Sequence, residues 1–182
     1  MAIDAFLQFT QSGVASKVMG ETQDVIFSKK DPPAFEIQQW SFGASNVSTI
    51  GSATGGAGGG KASFEPFKVT KNIDTASSSL FLTCCAGGHY PLLTLWVRKS
   101  GQSPKDGGEW YLEWQFKMAF VSNLSWTNAD PSPTEEVTFV YGAIQFTYRP
   151  QKADGTLIVD QKVDRSWSQV LNDSEFAVEH SG

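Results

Sequence analysis

The ten residues YLEWQFKMAF, Tyr111–Phe120, constrain the fold more than any other stretch. Leu112, Trp114, Phe116, Met118 and Phe120 recur at every second position, with Tyr111, Glu113, Gln115, Lys117 and Ala119 between them. An apolar residue at every second position lines one side of a pleated strand and spirals around a helix. The segment is therefore expected to be a strand with one buried face.

The rest of the chain repeats that rhythm. EVTFVYGAIQFTYRP is rich in β-branched and aromatic residues and stops at Pro150. Val140, Ile144, Phe146 and Tyr148 share its expected apolar face, and Gly142 marks a bend or bulge. TNADPSPT, between these two segments, has the composition of a hairpin loop. YPLLTLWVRKS is a further strand, followed by the turn segment GQSPKDGG; IDAFLQF, FEIQQWSFGAS and ASFEPFKVTK are earlier ones. One segment breaks the pattern. DTASSSLFLTCCAGG offers Asp74 or Thr75 as an N-cap, i,i+4 pairs at Leu80/Cys84 and Phe81/Cys85, and Gly87-Gly88 as a stop. It predicts one short amphipathic helix on a mainly β domain.

The 182 residues suit one domain with a sizeable core. The formal charge of −5 and the lack of a basic block argue against nucleic acid as a partner. No apolar run reaches the roughly 20 residues of a membrane helix, so no membrane insertion is expected. MAIDAFLQF lacks a basic leader region and places Asp4 among its apolar residues, which argues against a signal peptide and for assembly in the cytoplasm. Cys84 and Cys85 are adjacent and supply no disulfide framework.

GGAGGGKA, Gly55–Ala62, matches most of the phosphate-loop pattern GxxxxGK[ST]. That chemistry needs a buried strand, a loop of inward N–H groups and a helix N-terminus facing phosphate. Here Ala62 stands where the Mg²⁺-binding hydroxyl belongs, and a strand-like alternation follows instead of a helix. The glycines read as a flexible loop. His89 and His180 are too few to build a convincing nucleophile–base system, and His89 reads as a polar residue at a helix end. The cysteines lack metal or redox spacing and read as small core hydrophobes. The acidic residues scatter over polar strand faces. No catalytic residue, cofactor site or metal site is expected. Trp40 and Trp114 belong to apolar faces; Trp110, Trp126 and Trp167 leave room for a sugar-stacking β-sandwich as an alternative.

The order of these features carries a resemblance. MAIDAFLQF leads to WSFGAS, a glycine-rich loop, the block FKVTKNIDTASSSLFLTCCAGGHYPLLTLWVRKSG and a late YRPQKADG. From Met1 to roughly Asp160 the chain resembles the Hcp family of bacterial type VI secretion systems; the segment 12–34 carries no matching motif. The resemblance implies a tight β-barrel of two antiparallel sheets flanked by one short helix. It also implies a non-enzymatic subunit whose six-membered rings stack into a tube. Implied partners are further copies of itself, a contractile sheath, a VgrG-type spike protein and small effector proteins carried in the lumen. Secretion by contraction would then need no signal peptide. A contractile phage-type tail-tube protein is a second reading. One domain is expected over 1–182, with an extended loop at about 46–61, a helix at about 75–86 and a C-terminal hairpin or tail at about 154–182. That loop is the expected subunit contact, through Ser52, Thr54, Gly55, Gly56, Gly58, Gly59, Gly60 and Lys61.

Overall fold

The alternating segments form strands, and their order along the chain sets how they pair. The computed structural model describes residues 3–10, 17–49, 58–99, 109–128, 130–152, 156–158 and 161–179; at 48, 49, 58 and 59 it describes the backbone alone. The strands are β1 (Ile3–Phe9), β2 (Phe35–Ile37), β3 (Gln39–Ser41), β4 (Ala44–Thr49), β5 (Gly58–Phe64), β6 (Phe67–Asn72), β7 (His89–Lys99), β8 (Leu112–Thr127), β9 (Thr134–Val140), β10 (Ala143–Tyr148) and β11 (Val163–Ser168). The helix α1 (Thr75–Ala86) lies between β6 and β7. GQSPKDGG falls outside the described residues.

Every ladder is antiparallel. Among the described residues one large sheet runs β2-β1-β7-β8-β9-β6-β3, with β10 on β8 and β11 on β10, while β4 and β5 pair only with each other. The ladders do not close the large sheet into the expected tight barrel of two sheets. Its path ends at β2 and β3, which are consecutive pieces of one extended segment and so cannot pair with each other. Gln38 joins them, and its N–H reaches the Thr70 carbonyl at 2.8 Å.

β8 shows why the alternation is only half right. Phe116 is fully buried, with Leu112 and Trp114 packed against the core, as expected. At Met118 the backbone takes φ 53°, and Ala119 and Val121 become the buried residues in place of Met118 and Phe120. The cause is a change of neighbour: β8 pairs with β10 over Leu112–Lys117 and with β9 from Phe120 onward. The expected bend at Gly142 divides β9 from β10 at that same place. The expected apolar face there does not hold as a buried one. Val140, Phe146 and Tyr148 are exposed, while Val137, Phe139, Tyr141, Ala143 and Thr147 are buried. Stacked aromatic rings fill the centre: Phe67 lies 4.5 Å from Phe116 and 5.8 Å from Phe139 between ring centroids.

The helix begins and ends for the reasons its sequence supplies. Asp74 Oδ1 accepts from the Ala76 N–H, and Ser77 Oγ accepts from the Asp74 N–H, so two otherwise orphaned donors are satisfied. Gly87 takes φ 68°, a left-handed conformation that costs glycine nothing. Ala76, Ser77, Leu80 and Thr83 face the core, and Thr83 Oγ1 lies 2.7 Å from Tyr90 Oη. The Phe81/Cys85 pair faces outward: Phe81 and Cys85 are exposed, and Cys84 is half-buried against the core.

Beneath the helix lies a buried ionic group that alternation does not reveal. Lys71 is fully buried, and its Nζ donates to Asp74 Oδ1 at 2.6 Å, Glu135 Oε1 at 2.8 Å and the Asn72 carbonyl at 2.8 Å. Ser77 Oγ donates to the same Glu135 oxygen at 2.7 Å, and Trp126 Nε1 donates to Glu135 Oε2 at 3.1 Å. This group ties β6, α1, β8 and β9 together.

Two segments without strong sequence signals pack on the sheet. Residues 17–34 place Phe27 on Phe6 at 4.1 Å between ring centroids, with Trp96 and Ala34 alongside. Arg98 on β7 holds them through Asp24 at 2.5 Å and also pairs with Asp4 of β1 at 3.1 Å. Within the stretch at about 154–182, read as a hairpin or tail, β11 pairs with the earlier strand β10, from Ala143↔Ser168 to Tyr148↔Val163. The tail then turns back, and Lys117 Nζ donates to the Phe176 carbonyl at 2.6 Å.

Candidate functional site

Chemistry was the first possibility for the glycine-rich segment, and its geometry removes that reading. Gly58, Gly59, Gly60 and Lys61 are strand residues of β5 rather than loop residues. Pro66 separates β5 from β6, so no helix begins where a phosphate would need one. The expected loop at about 46–61 is thus a hairpin in its described parts. Asn46–Thr49 and Gly58–Lys61 belong to its strands, while Ser52, Thr54, Gly55 and Gly56 lie outside the described residues.

The glycine has a local reason at one position. The β4–β5 register shifts between Asn46 and Ser48. At that irregularity a Cβ on Gly60 would sit 2.4 Å from the Val47 carbonyl oxygen. Only a residue without a side chain lets the two backbones approach this closely. Asn46 Nδ2 donates to the Gly60 carbonyl at 2.8 Å and closes the bulge. At the base, Glu65 N–H donates to the Gly43 carbonyl at 2.9 Å, and Tyr141 Oη donates to the Glu65 carbonyl at 3.1 Å. Burial pushes the Tyr141 hydroxyl well above the usual tyrosine range, and the nearby Glu65 carboxylate adds to this. It therefore stays a protonated donor that pins the hairpin's root to the core.

Beyond that root, the hairpin shares no ladder with the large sheet among the described residues. Val47 is 77% exposed, more than any other large exposed hydrophobic among the described residues. Unpaired strand edges and an exposed apolar side chain together make a surface suited to another polypeptide.

The remaining residues of interest make contacts within the subunit. His89 lies tilted against Phe120, at 5.2 Å between ring centroids. Among the described residues no three His, Cys, Asp or Glu side chains converge on a point that could hold a metal. Trp40 and Trp114 pack against the core at 5.0 Å from each other. Arg149 covers the Trp110 ring at 3.6 Å, and Trp126 is engaged with Phe81 and Glu135. Glu113 accepts from Trp96 Nε1 at 2.6 Å; burial holds its carboxyl above the ordinary glutamate range, against the pull of that bond and of Lys162, Arg149 and Lys30.

Residues 6–148 match the family described as "Type VI secretion system effector, Hcp". The chain belongs to the Hcp family. Hcp1 of Pseudomonas aeruginosa is 34% identical over 97 residues, a match covering 52% of this chain and 58% of that protein. A solved type six secretion system protein superimposes with a TM-score of 0.80 at 25% identity, over 96% of this chain and all of that one. Hcp1 of Salmonella typhimurium gives 0.69 at 22% identity, over 96% of this chain and all of that one, and shares the fold. The two structural likenesses cover 96% of the Hcp chain, more than the 6–148 of the family match.

Proposed function

We propose that this Hcp protein is a structural tube subunit: six copies form a ring with an open lumen, and rings stack into a secreted conduit that carries small effector proteins. The observation that carries the reading is the β4–β5 hairpin, which leaves the sheet with unpaired edges and an exposed Val47 on a chain of this family. A ring of like subunits needs head-to-tail contacts between two different surfaces of the same molecule, and a projecting hairpin is one half of such a contact. The sheath and a VgrG-type spike are the partners that a contractile machine of this family implies. The subunit works without a cofactor and without catalytic residues.

Negative-stain electron microscopy of the purified protein tests this. Six-fold rings with a stain-filled centre are expected, with stacked tubes at high concentration. A field of single 182-residue particles at high concentration would overturn the proposal.

A further inference from the structure

We infer that the uncharged outer face of α1, together with Trp126, is the surface on which the β4–β5 hairpin of a second copy of this chain docks. The inference rests on the ring reading above and names the receiving surface. The twelve residues TASSSLFLTCCA contain no charged side chain. The outer face of a surface helix is ordinarily charged or polar. Here it leaves Phe81 48% and Leu82 56% exposed, with Cys85 beside them.

Trp126 extends this patch. It is 52% exposed and its ring lies 5.7 Å from Phe81. Its indole is nevertheless held, because Nε1 donates to the buried Glu135. An exposed tryptophan fixed before binding loses little freedom on contact, and such residues carry much of the energy of protein interfaces.

Charge selects the occupant. At a formal charge of −5, two copies repel over most of their surfaces. They approach at least cost where neither surface is charged. Between them, strands β4 and β5 hold a single charged side chain, Lys61, and they present Val47. A neutral projecting strand pair on one copy and a neutral aromatic face on the next make the head-to-tail contact that a ring requires.

Charge-swap variants test the pairing, with native mass spectrometry reading the six-fold species and thermal melting checking the fold. Val47→Lys and Leu82→Glu both alter exposed side chains, so each is expected to keep the melting temperature of the monomer, compared at a dilution where no variant is assembled. Each is expected to weaken assembly at least about tenfold. The double variant is expected to regain part of the loss, because a lysine on the hairpin and a glutamate on the receiving face attract each other. Rings that tolerate either single variant would overturn the inference, and so would two weakened variants with no regain in combination. In both cases the parental protein still forms rings, and the ring reading survives. A parental protein without a six-fold species would overturn both.

Discussion

Replacing Lys71 with Met should be among the most damaging single changes in this molecule. The side chain is fully buried, and Glu135 is 1% exposed. Lys71→Met removes the cation 2.8 Å from Glu135 and 2.6 Å from Asp74. It leaves a carboxylate in the interior with only Ser77 Oγ and Trp126 Nε1 as donors. Breaking one side of a buried ion pair costs about 3–5 kcal/mol. A domain is stabilised by only about 5–15 kcal/mol, so this is a large share. For a chain of this size the melting temperature should fall by about 10 °C. The companion Lys71→Met/Glu135→Leu removes both charges and should recover much of the loss, because apolar replacement of a whole buried pair is often close to neutral. Guanidinium unfolding at one fixed protein concentration checks this, since assembly would add concentration-dependent stability. A Lys71→Met cost below about 1 kcal/mol, or a double variant as unstable as the sum of its singles, would refute the reasoning.

Other changes separate folding from assembly. Gly60→Val pushes a side chain into the Val47 carbonyl, so rings should be lost on size-exclusion chromatography while the melting temperature of the subunit changes little. Gly87→Ala meets no neighbouring atom within 4 Å but must hold φ 68°, so thermal melting should show a loss of about 1 kcal/mol from backbone strain alone. Burial raises the Asp24 carboxyl, but the Phe27 and Ile26 N–H donors and Arg98 outweigh it and hold it below 3.8. Its contribution is therefore present above the unfolded value and lost as pH falls through the lower folded value. Asp24→Asn should flatten that acid limb in melts taken from pH 2 to 6. Glu113 has the opposite sign: its raised carboxyl makes folding less favourable as pH rises from 4.5 through the folded value, so Glu113→Gln should remove that decline over pH 4–7.

The sequence made most of the β architecture legible because period-2 patterning and turn residues act locally. IDAFLQF is β1 from end to end, and the helix runs from Thr75 to Ala86 with Asp74 as its cap. Faces were harder to read than strands. The phase change at Met118 depends on β8 exchanging β10 for β9, a tertiary event with no local mark. Residues 17–34 gave no periodic signal because they pack as single anchors, Phe27 on Phe6 and Asp24 on Arg98, and not as a face. Lys71 looked like any polar strand residue, since its partner Glu135 is distant in sequence. In the candidate site the glycine-rich composition was visible and its hairpin geometry was not. The need for Gly60 arises from a bulge opposite Val47, and a bulge is set by pairing. The outward Phe81 was hidden inside an apparently regular i,i+4 pattern.

The central claim is that this subunit makes a closed six-membered ring through two different surfaces. Native mass spectrometry over a dilution series measures that most directly. The account predicts a species at six times the chain mass, dissociating on dilution and absent in Gly60→Val. A monomer that persists at the highest concentration, or a hexamer indifferent to Gly60→Val, would contradict it.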